Sequence, residues 1–193
     1  MDEKQWVERA RRGDPGAYDE LVRAHQEAAF RAAYLITHDA ADAQDVAQEA
    51  FIRAFDALGR FDARRPFRPW LLRIATNLAL NRLKASKRRQ AMAERYGARA
   101  VETQSTPTIE ANVLKRERGR RVWDAIGRLK PDDQRLLVLR YFLELSEAEL
   151  AQAFDVAAGT IKSRLHRALA KLRDVIRAHD PDLLESELRA ADE

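Results

Sequence analysis

Apolar residues recur every three to four positions along most of the chain and do not alternate, so the pattern predicts helices and no sheet. Trp6, Val7 and Ala10 predict a short first helix closed at Gly13. Asp14-Pro15 restarts the chain, with Asp as N-cap and Pro at the first helical position, where its missing N–H goes unused anyway. From there Tyr18, Leu21, Val22, His25, Ala29, Ala32, Ala33 and Ile36 trace one face of a long helix. Thr37-His38-Asp39 is a break. Asp39 with Asp42 opens the next helix, which runs to a C-terminal cap at Gly59. Along it Val46, Ala50, Phe51, Ile52, Phe55 and Leu58 can pack, while Asp42, Asp45, Gln48, Glu49 and Arg53 stay in water. Phe61 to Phe67 has no period and reads as a loop. Pro69 then lies in the first turn of a helix that is aromatic and apolar at its start and basic from Arg82 to Arg89.

Residues 90–113 change character. Thr103-Gln104-Ser105-Thr106-Pro107-Thr108 has linker composition, and nothing apolar recurs at helical spacing. Leu114 to Leu129 resumes an amphipathic helix carrying Val122, Trp123, Ile126 and Leu129, and Pro131 starts another. Leu145 to Arg173 then reads as two helices joined by a tight turn. Ser146 and Glu149 form a capping box at the first. Leu150, Ala151 and Phe154 share its inner face, and Asp155-Val156 breaks it. Asp155 stands where a turn of this kind usually has glycine, and Asp tolerates a left-handed backbone better than most residues. Gly159-Thr160 opens the second helix, which should bury Ile161, Leu165 and Leu169. Its other faces carry Lys162, Ser163, Arg164, His166, Arg167, Lys171 and Arg173. An apolar seam under a basic face suits a helix-turn-helix that presents a recognition helix to the DNA major groove. An ordinary helical hairpin with a solvated basic face is the plainer alternative. The expected fold class is therefore all-α: two small helical domains joined by a polar linker, the C-terminal one a helix-turn-helix. The boundaries are 1–89, a linker at 90–113, 114–179, and a short acidic tail at 180–193.

Composition narrows the function classes. The 193 residues carry a formal net charge of +4, unevenly placed, and no cysteine. Disulfides, thiolate zinc sites and thiol catalysis are thereby excluded. No apolar run approaches the roughly 20 residues that span a bilayer, and the first dozen residues are too charged for a signal peptide. The basic excess concentrates in two places, the second helix of the hairpin and the stretch Arg60 to Arg89. In the latter, Phe61, Phe67 and Trp70 accompany the basic residues, and Asn77 and Asn81 share a helix face with Arg73 and Lys84. Basic groups attract phosphates without regard to sequence, aromatics stack on unpaired bases, and asparagine reads base edges. This combination suits a strand held open. The alternative places Phe67 and Trp70 in the core and the basic residues in water.

Three motifs in this order resemble one family. D-A-Q-D-V-A-Q-E-A-F-I-R-A-F, F-R-P-W-L-L-R-I-A-T-N-L-A-L-N and G-T-I-K-S-R-L-H-R-A make the chain similar to the extracytoplasmic-function (ECF) group of bacterial sigma-70 factors. The resemblance implies that Asp45, Gln48, Glu49, Ile52, Arg53 and Phe55 dock on the clamp helices of the largest subunit of core RNA polymerase. It implies that Phe61, Asp62, Ala63, Arg64, Arg65 and Phe67 form a pocket for a flipped base of the minus-ten element, with Trp70, Arg73, Asn77, Asn81 and Lys84 along the nontemplate strand. It further implies that Thr160, Lys162, Ser163, Arg164, His166 and Arg167 read the minus-thirty-five element in the major groove while their domain sits on the flap of the second-largest subunit. The implied partners are core polymerase, promoter DNA and an anti-sigma factor. The implied protein is bacterial and cytoplasmic, monomeric when free, without cofactor, metal or catalysis.

Two other classes fit less of the chain. A self-sufficient helix-turn-helix repressor or activator needs a dimer seam to match two half-sites, and no long heptad run supplies one. An enzyme acting on nucleic acid needs a metal set or a phosphate loop. His25, His38, His166 and His179 have no ligand spacing, and no glycine-rich loop exists.

Overall fold

The computed structural model describes the backbone of residues 2–95 and 110–183, and the side chains of 2–93 and 117–183. Among these residues every regular element is helical: α1 Glu3–Arg11, α2 Pro15–Thr37, α3 Ala40–Ala57, a 3-10 turn at Leu58–Arg60, α4 Phe67–Arg95, α5 Glu110–Gly127, α6 Pro131–Leu137, a π-helical turn at Val138–Phe142, α7 Glu147–Phe154 and α8 Ala158–His179.

The helix starts follow their local chemistry. Asp14 accepts the N–H of Ala17 at 3.2 Å, with Pro15 at N1. Asp39 accepts that of Asp42 at 2.8 Å. Between α2 and α3 the chain turns through a left-handed His38 (φ 54°). In the N-terminal half α2, α3 and α4 pack together with α1 across one end. Alanines line the seams: Ala29, Ala32 and Ala33 of α2, Ala43, Ala50 and Ala54 of α3, Ala75 and Ala79 of α4, all buried. Such small side chains let helix axes approach toward the short end of the usual range, about 8 Å. Leu21, Ile36, Leu71 and Leu72 fill the remaining space without exposure, each contributing about 1.5–3 kcal/mol of transfer free energy.

In the C-terminal half, Gln134 of α6 is fully buried. Its Nε2 donates to the carbonyls of Gly127 and Leu129 at 2.9 and 2.8 Å, closing the end of α5 where backbone acceptors would otherwise lack partners. The capping box of α7 is complete: Glu149 N–H donates to Ser146 Oγ at 3.2 Å, and Ser146 N–H to Glu149 Oε2 at 2.8 Å. Asp155 adopts the left-handed conformation (φ 56°, ψ 51°) expected of the turn residue. Arg121 and Asp180 pair across the base of the module, and Leu183 is buried there.

Several expectations change. Helix α3 ends at Ala57 in a 3-10 turn, and Gly59 has no positive φ, so it is no left-handed cap. Ile52 and Phe55 do not pack inside but are 55% and 52% exposed. Leu169 is 37% exposed, and Ala168 takes the buried place instead. At about 100° per residue, position 168 lies roughly 20° from the meridian of Ile161 and position 169 roughly 80° from it. Helix α4 continues to Arg95 and α5 begins at Glu110, so both intrude on the stretch read as linker. The Thr103–Thr108 segment and most of the acidic tail lie outside the described residues. The two expected domains also touch, a contact on which the sequence reading made no statement. Helix α4 packs on α2 and α3 with one flank and on α6, the π turn and α7 with another.

Candidate nucleic-acid interface

The outer face of α8 is built as the periodicity requires. Ile161, Leu165 and Ala168 are buried against α6 and α7, which leaves Lys162, Ser163, Arg164, His166 and Arg167 exposed on the first three turns, with Thr160 half-buried at the start. Ser163 Oγ donates to the Thr160 carbonyl at 3.0 Å, and Arg167 Nε to the Ser163 carbonyl at 3.3 Å. These bonds stay within the helix and leave the face open. The left-handed Asp155 makes this possible by letting the chain reverse within three residues, between α7 and α8.

The loop before α4 is floored by aromatics. Phe67 is fully buried, Phe61 nearly so, and Trp70 half-buried. Phe61 and Trp70 lie 4.5 Å apart between centroids, Phe67 and Trp70 5.6 Å, and Phe61 and Phe67 6.0 Å. Of the two sequence readings, the geometry follows the one that assigns Phe67 and Trp70 to the core. Phe67 meets the other two rings edge-on, Phe61 and Trp70 are tilted against each other, and together they support the loop. On the rim, Arg64 and Asp62 form a fork with two bonds of 3.0 Å. The Arg64 guanidinium, helped by its backbone N–H and by Arg65, holds the Asp62 carboxyl down at about 2. Ala63 is half-buried against the core.

Beyond the loop, the expected strand-binding side chains divide. Asn81 is exposed and Lys84 half-exposed. Arg65, Arg73 and Asn77 are instead engaged by the C-terminal half. Arg65 donates to Asp155 Oδ1 at 2.5 Å and to the Gln152 carbonyl at 3.3 Å. Arg73 donates to the Ala153 carbonyl at 2.6 Å and lies 5.0 Å from the centroid of the Phe154 ring. Burial, with Arg135 nearby, lowers its pKa from the ordinary arginine value. Asn77 Oδ1 accepts from Arg135 Nη1 at 2.6 Å. These contacts leave no local signal along the chain, because each joins residues at least 58 positions apart.

A second surface lies along α2 and α3 of the N-terminal half. Asp45, Gln48, Glu49, Ile52, Arg53 and Phe55 are all exposed on α3. Glu49 and Arg53 pair at 2.7 Å, and Asp45 is tied to Arg82 of α4 at 3.0 Å. Ile52 and Phe55 edge a groove of about 760 Å³ between α2 and α3, which also takes in Tyr18, Val22, Phe30 and Phe51. Tyr18 braces it, its hydroxyl donating to the Phe51 carbonyl at 2.5 Å and its ring meeting Phe55 edge-on at 4.9 Å. Burial, with Asp56 nearby, raises the Tyr18 pKa well above the usual tyrosine value. The α2 side of this groove was missed in the sequence. Its signal was Phe30 and Tyr34, large aromatics four apart and off the apolar stripe, stacked at 6.0 Å and both exposed. Exposed apolar surface of this kind marks docking sites. Among the described residues no group of histidines and carboxylates is arranged to hold a metal, and no helix is long and apolar enough to cross a membrane.

The family model for sigma-70 region 2 matches residues 21–89, and that for sigma-70 region 4 matches residues 119–172. The chain is 31% identical over 180 residues to the ECF RNA polymerase sigma factor SigW of Bacillus subtilis (strain 168), covering 90% of this chain and 96% of that one. It is 39% identical over 174 residues to the RNA polymerase sigma-H factor of Pseudomonas aeruginosa, covering 86% and 89%. Among solved structures it is similar to CnrH in complex with the cytosolic domain of CnrY, at a TM-score of 0.58 and 26% identity, covering 92% of this chain and 99% of that one. Region 2 thus carries the aromatic-floored loop and the apolar groove, and region 4 the open basic helix. With this order of parts and full-length likeness to named sigma factors, the chain belongs to the ECF group of the sigma-70 family of RNA polymerase sigma factors.

Proposed function

We propose that this sigma factor works through three surfaces. The α2/α3 groove, with Asp45, Gln48, Glu49, Ile52, Arg53 and Phe55, docks on the clamp helices of the polymerase largest subunit. The basic face of α8 reads the minus-thirty-five element as duplex while its module rests on the flap of the second-largest subunit. The loop 61–67 captures a flipped base of the minus-ten element, and Arg73, Asn77, Asn81 and Lys84 hold the strand beside it. The chain contributes no catalysis, since a sigma factor directs an enzyme that it accompanies. An anti-sigma protein that covers the groove would silence it.

The observation that carries this reading is the open face of α8, with Lys162, Arg164, His166 and Arg167 exposed in consecutive turns while the seam beneath them is buried. The energetics agree. Extruding a base costs a few kcal/mol, and pocket contacts return a similar amount, so melting depends on the polymerase and on the right base.

Run-off transcription with core polymerase over a genomic promoter library tests the reading. Arg164→Ala should lower initiation by roughly 5- to 150-fold, the equivalent of about 1–3 kcal/mol for one base contact. Asn77→Ala should weaken initiation even on templates lacking an upstream element, and Phe55→Asp should abolish association with core. Specific footprinting by the free chain on duplex DNA would favour the self-sufficient repressor or activator instead.

A further inference from the structure

The loop 61–67 is anchored from an unexpected place. Glu3, on α1, accepts the backbone N–H of Phe67 through Oε1 at 2.9 Å. Its other oxygen, Oε2, lies 2.7 Å from Nε2 of His25 on α2. An ionised carboxylate can only accept, so the imidazole carries its proton on Nε2. The His25 side chain is buried, and its ring faces that of Phe67 at 5.5 Å between centroids. Phe67 is the first residue of α4, and its amide is one of those a helix leaves without an internal partner. A carboxylate at that point also meets the positive end of the helix dipole. Helix α1 therefore supplies, from 64 residues away, the cap that α4 lacks locally. The region 2 family model begins at residue 21, so α1 and Glu3 lie outside it.

We infer that Glu3 is a positioning residue for base capture: gripped by His25, it fixes the start of α4 and so sets the aromatic floor of the loop 61–67. This rests on the proposed role of that loop. The chain of contacts runs from Glu3 to Phe67 and from Phe67 to Phe61 and Trp70, the three rings lying within one packed cluster. The hydrogen bond from His25 holds the Glu3 carboxyl below the usual glutamate value despite partial burial, so the side chain is anionic at neutral pH. Without it, the Phe67 amide loses its acceptor and His25 its partner, and the floor can tilt beneath an incoming base.

The test uses holoenzyme reconstituted from core polymerase and the full chain. Strand opening is measured on a promoter and on copies carrying an abasic site at each nontemplate minus-ten position. The ratio of the two at the captured position is the base discrimination. Glu3→Ala should lower that ratio by about fivefold, the equivalent of one lost hydrogen bond of about 1 kcal/mol, with core affinity unchanged. Glu3→Gln should retain most of it. Its amide oxygen can accept from Phe67 while its NH2 donates to the other tautomer of His25. Lys4→Ala, exposed on the same helix, should behave as wild type. Val7→Ala opens a cavity under α1 with Glu3, His25 and Phe67 all retained, and serves as a stability control. Wild-type discrimination in Glu3→Ala overturns the inference. So does an equal loss in Val7→Ala, which would reduce Glu3 to a brace. If wild-type holoenzyme opens the promoter but discriminates at no position, the proposed role of the loop fails and takes this inference with it.

Discussion

At the scale of single residues, neighbours in sequence can have opposite fates. Ala168 is fully buried while Leu169 is 37% exposed, although Leu is the more apolar of the two. Ala168→Leu should destabilise the fold by about 1–3 kcal/mol through overpacking, whereas Leu169→Ala should stay within about 0.5–1 kcal/mol. Urea unfolding midpoints at constant slope would check both, and equal effects would contradict the burial assigned to them. Short-range chemistry at this scale was legible in the sequence. Asp14, Asp39 and Ser146 cap the helices that they were expected to cap, because a cap is decided within four residues. The exposure of Ile52 and Phe55 was not legible from periodicity alone, which assigns every apolar position to the inside; only the family resemblance pointed them outward. Glu3 was invisible for a different reason. Its partners lie on two other helices, and a lone glutamate in a first turn is commonplace.

At the scale of the element, α7 and α8 show how much a turn depends on few atoms. The reciprocal Ser146–Glu149 bonds start α7 and the left-handed Asp155 ends it eight residues later. Ser146→Ala should cost about 1 kcal/mol, within the 0.5–2 measured for caps elsewhere. The readout is the thermal midpoint of the chain, and an unchanged midpoint would remove the box from the stability account. Element boundaries were less legible than element existence. The basic end of α4 contains Lys and Arg, which are good helix formers, so nothing stops the helix where its apolar repeat fades. It runs on to Arg95. The π turn at Val138–Phe142, closed by Leu143 N–H to the Val138 carbonyl at 3.1 Å, leaves no mark in the pattern of apolar residues.

At the scale of the molecule, the two helical domains expected from the linker composition are present, and α4 serves both as a common beam. The bonds across this junction vary in weight. The Arg65–Asp155 pair is exposed on the aspartate side and is worth about 0–1 kcal/mol after solvent screening. Lys87–Asp124, at 3.1 Å between two exposed side chains, contributes no more. The half-buried Arg73 over Phe154 and the Asn77–Arg135 bond hold more firmly. Asp155→Arg sets like charges face to face and should widen the distance between α3 and α8. It should also raise the affinity of the free chain for a minus-ten single strand by up to about fivefold, the equivalent of about 1 kcal/mol. Energy transfer between labels on those helices, together with oligonucleotide titration, measures both. No change in either would show that the junction plays no part in strand access.

On the proposed function, the engagement of Arg65, Arg73 and Asn77 makes region 4 and a promoter strand rivals for the same side chains. Rivalry of this kind sets a threshold, because the apparent affinity falls in proportion to the fraction of molecules left competent to bind. Each additional 1.4 kcal/mol or so invested in the embrace would scale that affinity down tenfold. Substitutions at Arg135 or Asp155 would then retune how readily the factor responds, without altering a single base contact.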